Sequence, residues 1–179
     1  MLRCAVAALV LPAFSAVTLA QRPDFSGTWL LDEPTANARP SVATVGDAAF
    51  RRGDMGSGWG SRLTITQSAT RLGLEYPHFS AYDLQPPITL AYALDGSESR
   101  NAIMIGHAAA EQRSRTAWRD SSLVITTTHL MPAGSGDART TETRHTLTLE
   151  SPTTLVVETR RSAGGRATPS TTKAVYRKG

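Results

Sequence analysis

Cysteine is nearly missing from this chain of 179 residues: there is one, Cys4. It precedes the apolar stretch of the N-terminal segment, whereas a lipid-modified cysteine follows such a stretch. If the segment is removed, no thiol remains. Disulfides, cysteine-ligated zinc and cysteine nucleophiles are then excluded. Aromatic residues are scarce at 6% and charged residues modest at 19%, against 40% apolar. The motifs of common hydrolases and metal centres are missing too. There is no Gly-x-Ser-x-Gly nucleophile turn. The four histidines, His78, His107, His129 and His145, have no chelating spacing, and none stands beside an Asp or Glu in a ligand motif. No cofactor and no metal are expected from this pattern.

What is present first is a leader. Arg3 gives residues 1–20 a positive start, Cys4 to Leu11 form an apolar run, and Thr18-Leu19-Ala20 offers small residues before Gln21. This pattern predicts a secretory signal peptide cleaved near Ala20. The run is interrupted by Pro12 and falls short of the ~20 residues of a bilayer span. A secreted or periplasmic protein with no stable membrane anchor after cleavage is therefore expected. The chain has 19 basic and 15 acidic side chains; removing Arg3 leaves 18 − 15 = +3. The basic residues are interleaved with Thr, Ser and Glu, as on a solvated surface. No nucleic-acid groove is expected.

Residues 21–179 read as one domain. Phe25 to Leu31 forms a first strand. Residues 33–61 make a long Gly- and Pro-containing connection, either an insertion or a lid, with a short helix conceivable from Val45 to Arg52. Alternation then recurs: Leu63, Ile65 and Gln67; Leu72, Leu74 and Tyr76; Ile88, Leu90, Tyr92 and Leu94. Pro77 to Pro87 is a second loop. Asp95-Gly96 is a turn signal. Further strands span Ala102 to Gly106, Gln112 to Arg119, Leu123 to His129, Arg139 to Glu150, Thr154 to Arg161 and Ser170 to Lys178. On Gln112 to Arg119, three arginines share one face and Trp118 lies on the other. Nine or ten short antiparallel strands with one apolar face predict an all-β up-and-down barrel or a sandwich.

Gly27-Thr28-Trp29 resembles the opening of the calycin group, which comprises lipocalins, fatty-acid-binding proteins and avidin-like proteins. The resemblance implies that Trp29 plugs one end of a barrel of about 8–10 strands, with Arg177 or Lys178 of the last strand covering it. More narrowly, the chain is similar to uncharacterised exported bacterial proteins. They open with Asp-Phe-Ser-Gly-Thr-Trp, here Asp24 to Trp29. They also share Leu94 to Glu98, Trp118, Leu123 to Thr126 and Val175 to Lys178. This implies a lipocalin-like barrel and export, and no particular activity. A second lipocalin motif is missing from the middle of the chain.

Symmetrical closure of the loop at Gly134 and Ser135 pairs Leu123 with Leu147, Ile125 with His145, Thr127 with Thr143 and His129 with Thr141. The Ser151-Pro152-Thr153 turn pairs Leu149 with Leu155, Leu147 with Val157 and His145 with Thr159. The inner face then has an apolar floor and a polar zone nearer the other end. With Leu90 and Tyr92 from the opposite wall, the candidate ligand-binding positions are Leu123, Ile125, Thr127, His129, Thr143, His145, Val157, Thr159 and Arg161. Such a lumen suits a small apolar or amphipathic molecule whose anionic group meets His145 or Arg161. In this register His129 and His145 lie ~13 Å apart, too far to share one ion. Glu142, Arg144, Glu150 and Glu158 face outward. Two other readings stay open: a structural or interaction barrel filled by its own side chains, and an enzyme on the same scaffold. The oligomeric state is not legible in the sequence.

Overall fold

The computed structural model describes residues 22–32, 59–77, 87–105, 108–131, 139–162 and 169–179. The expected signal peptide over residues 1–20, the segment Val45 to Arg52, His78 and His107 lie outside the described residues. Ten strands form one antiparallel sheet: β1 (Gly27–Leu31), β2 (Arg62–Gln67), β3 (Arg71–Tyr76), β4 (Ile88–Ala93), β5 (Ser99–Ile105), β6 (Ala108–Arg119), β7 (Ser122–Met131), β8 (Arg139–Ser151), β9 (Thr154–Ser162) and β10 (Ser170–Lys178). Each strand pairs with its sequence neighbours except β4 with β5, and β1 also pairs with β10. This is a nearly closed, all-β, lipocalin-like up-and-down barrel. Alternation explains the elements: on β2 and β3 the odd positions of one and the even positions of the other are buried. β5 and β6 extend further toward one another than the apolar pattern predicts, because Ala108 to Glu111 joins the ladder against Ala102 to Ile105.

The up-and-down order sorts the connections between the two ends. Residues 68–70, 94–98, 120–121 and 152–153 turn at one end. Local side chains set these turns: Arg71 N–H donates to Ser68 Oγ at 3.1 Å, and Ser97 N–H to Asp95 Oδ1 at 2.9 Å. The strand ends at Leu31 and Arg62, Tyr76 and Ile88, Ile105 and Ala108, Met131 and Arg139, and Ser162 and Ser170 all lie at the other end.

The turn end is shut by aromatics. Trp29 is fully buried, and its indole N–H donates to Phe25 O at 2.9 Å. Lys178 Nζ lies 5.5 Å from the Trp29 ring centroid. Of the two expected covers, Arg177 and Lys178, Lys178 lies over the ring and Arg177 does not. Trp29 pairs directly with Lys178, so the two share the inner face, and alternation turns Arg177 outward. There Arg177 Nε meets Asp32 Oδ2 at 3.1 Å and Nη1 donates to Thr154 Oγ1 at 2.9 Å. Gly27 makes the cover feasible: its φ is +145°, and a Cβ there would come within 2.7 Å of Lys178 Cε.

The rest of the opening motif ties β1 to the end of β2. Ser26 N–H and Oγ donate to Asp24 Oδ1 at 2.9 and 2.6 Å. Gln67 N–H donates to Ser26 Oγ, Phe25 N–H donates to Gln67 Oε1, and Gln67 Nε2 donates to Pro23 O, each at 3.0 Å. The two Ser26 bonds hold the Asp24 carboxyl below its ordinary value of 3.8. Phe25 stacks on Trp118 at 6.1 Å, and the Arg22 guanidinium sits 5.1 Å from the Trp118 ring centroid.

The circumference has one seam. β4 and β5 stand at the two edges of the sheet order, joined in sequence by the Asp95-Gly96 turn but not by a ladder. Side chains bridge them. Ala91 N–H donates to Asn101 Oδ1 at 2.7 Å, and Asn101 Nδ2 donates back to Ala91 O at 3.1 Å. Ala93 N–H donates to Ser99 Oγ at 2.8 Å, and Thr116 Oγ1 donates to Ala93 O. These bonds satisfy edge groups that would otherwise be left bare.

Candidate functional site

The inner wall is built on the expected register. Leu123 pairs with Leu147, Ile125 with His145, Thr127 with Thr143 and His129 with Thr141. Leu149 pairs with Leu155, Leu147 with Val157, His145 with Thr159 and Thr143 with Arg161. Leu123, Ile125, Leu147, Leu155 and Val157 are buried on the half nearer the tight turns. Across the lumen Leu63, Leu74, Leu90 and Tyr92 are at most 2% exposed. The apolar floor expected from the sequence is therefore present.

Above it lies a belt of polar side chains. Thr127, Thr143, His145 and Thr159 are 3–6% exposed, so they do not simply open to water. His129 and Arg161, one pairing step further toward the long connections, are half-buried. The sequence reading missed the contribution of β6. Gln112, Ser114 and Thr116 are buried on the same face as Trp118, and Ser114 pairs with Thr127. Their hydroxyls are 2.8 Å apart. The signal was available, since these residues lie two, four and six positions before Trp118 on a strand. Together they form a row, Ser114–Thr127–Thr143–Arg161, across four strands at ~4.8 Å spacing.

Tyr92 links the two walls, because its phenol shares a hydrogen bond with Gln112. Burial pushes the Tyr92 hydroxyl far above its ordinary value of 10.0, Tyr76 adds to the rise, and the Gln112 bond opposes it. Burial likewise raises Tyr176. Both phenols are neutral at ordinary pH.

Trp59 is missed as well. It precedes β2, is 3% exposed, and stacks on the imidazole of His145 with centroids 4.6 Å apart and planes 24° from parallel. Its backbone is pinned just after the ring. Tyr176 Oη donates to Gly60 O at 3.0 Å, and Leu31 N–H donates to Ser61 O at 2.8 Å. Gly60 has φ +71°, the left-handed turn that aims Trp59 inward. In sequence Gly58-Trp59-Gly60 stands in a polar connection, and only the lone aromatic hinted at an inward role.

Charge is sorted between the faces. Among the described residues every Asp and Glu is exposed except Asp32, which is half-buried on the outside against Arg177. The outward ion pairs Arg144–Glu142 at 3.5 Å and Lys173–Glu150 at 3.3 Å are solvated and contribute little. The inner face carries His129, His145 and Arg161 and no described carboxylate. Among the described residues no group of three or more His, Cys, Asp or Glu can hold a metal ion. Comparison with protein-family models finds none that matches the chain, and comparison with curated proteins finds no match either.

Proposed function

We propose that this barrel is an exported carrier that holds a small, largely apolar molecule in its lumen, with a polar or anionic group turned toward His145, His129 and Arg161. The observation that supports it best is the buried belt of Gln112, Ser114, Thr116, Thr127, Thr143, His145 and Thr159. Ser114 and Thr127 bond each other, Thr116 donates to Ala93 O and Gln112 bonds Tyr92, yet placing polar side chains inside a barrel still gains less than apolar ones would. A barrel wanting only stability would place Val or Leu there. An apolar floor under a few convergent polar groups is the usual make-up of a small-molecule pocket. Imidazole, guanidinium and hydroxyl groups on one wall suit a polar or anionic head group. Secretion or periplasmic residence rests on residues 1–20, and the relation to lipocalin-like exported bacterial proteins rests on the Asp24 to Trp29 opening.

Native mass spectrometry of the protein recovered from its own periplasm or medium tests the reading. The expected result is a stoichiometric small molecule released on unfolding. Persistent ligand-free protein that also fails to enhance the fluorescence of apolar probes would favour a barrel filled by its own side chains.

A further inference from the structure

We propose that the ligand selected by this lumen carries a flat aromatic ring, and that this ring takes the place of the Trp59 indole on the imidazole of His145. The inference rests on the lumen-binding reading above and specifies its ligand class.

Trp59 and Trp29 are both buried indoles, yet they are held differently. Trp29 belongs to a strand, its N–H is bonded to Phe25 O, and Lys178 covers its face. Trp59 stands outside the sheet, three residues before β2 begins. The chain is anchored at Gly60 and Ser61 through their carbonyls. Rotation about the Trp59 side-chain bonds therefore moves the ring without breaking a ladder bond. The indole is thus a core occupant held against His145 by ring contact, on a side chain that lies outside the ladder.

His145 is a wall position suited to a ring. It lies between Thr143 and Leu147 on the inner face of β8, and between Ile125 and Thr159 on the neighbouring strands. A ring lying near-parallel to the imidazole places its face on a π surface and its edge near the Thr143 and Thr159 hydroxyls. Ring pairs gain attraction beyond the area they bury, which a flexible alkyl chain does not. A rigid ring also loses less conformational freedom on entry. The ligand class is therefore a planar aromatic or heteroaromatic molecule with hydrogen-bonding groups on its rim, with indole-3-acetate as a probe and decanoate as its alkyl counterpart.

The full chain labelled with 5-fluorotryptophan has three reporters, since it has three tryptophans. Trp59→Phe assigns the relevant fluorine resonance. Saturating indole-3-acetate is expected to move the Trp59 resonance toward that of a solvated fluoroindole, leaving Trp29 in place, while decanoate does not displace it. Trp59→Leu, or Trp59→Ala as a second variant, is expected to bind indole-3-acetate at least ~10-fold more tightly than the parent, because the competing ring is gone. An unmoved Trp59 resonance at saturation overturns the proposal. So does weaker binding by both variants, which would make Trp59 part of the wall. Binding of decanoate but not indole-3-acetate overturns the ring inference and leaves the lumen reading intact; binding of neither removes both.

Discussion

On β2 to β4 the inward positions hold Leu63, Ile65, Leu72, Leu74, Tyr76, Leu90 and Tyr92. On β6 to β9 the inward positions away from the floor hold Gln112, Ser114, Thr116, Thr127, Thr143, His145 and Thr159. Both walls are buried to a similar degree and follow the same two-residue alternation. Their chemistry differs sharply. The first wall is what a core needs: apolar area removed from water contributes ~25 cal/mol per Å². The second wall gains far less on that scale, because hydroxyls and an imidazole must give up water to be there. The contrast separates the wall that holds the barrel together from the wall that keeps polar groups inside it.

The heaviest blow should come from the apolar side. Trp29→Ala is expected to cost ~3–5 kcal/mol, measured by chemical denaturation, since it empties the plug at the turn end. A loss under ~1 kcal/mol would contradict that role. Leu74→Ala, in the middle of the same wall, should cost ~2–5 kcal/mol. The seam comes next. Asn101→Ala strips the partner from both Ala91 N–H and Ala91 O and is expected to cost ~1–3 kcal/mol. Faster hydrogen exchange at Ala91, with β8 and β9 amides unchanged, would localise the effect to the seam.

The polar wall should answer differently. Thr143→Val keeps the shape and removes a hydroxyl, so stability should stay within ~1 kcal/mol of the parent or rise. Ligand affinity should fall. A large loss of stability with unchanged affinity would mean that the hydroxyl row serves the fold. The smallest effect is at Asp24. Its carboxyl is lowered in the folded chain, so its contribution is complete above 3.8 and is lost as pH falls through the folded value. The gap in denaturation midpoint between the parent and Asp24→Asn should therefore narrow between pH ~5 and ~3.

The strand pattern and the β7–β8–β9 register were legible because a fixed two-residue period and a short turn leave little freedom. Ser151-Pro152-Thr153 and the centre of the 132–138 connection set the pairing, and the apolar residues set the face. Three features were not legible. Arg177 and Lys178 are chemically alike, and only the pairing of Trp29 with Lys178 decides which of them covers the ring. The β4–β5 seam hides behind Asp95-Gly96, a signal that ordinarily joins two strands in a ladder. Trp59 follows no periodicity, because its position comes from Gly60 and from Tyr176, whose bond spans 116 residues of sequence.

Around nine of its ten strand junctions the barrel is held by main-chain bonds, which any amino acid except proline can make. At the tenth, closure is written in Asn101, Ser99 and Thr116. A substitution elsewhere on the circumference changes a side chain but not the ring of strands. At this junction a change of one residue removes part of what shuts the ring. Closure of the barrel is thus a property that selection can tune residue by residue along the seam where Ala91 and Ala93 meet Asn101, Ser99 and Thr116.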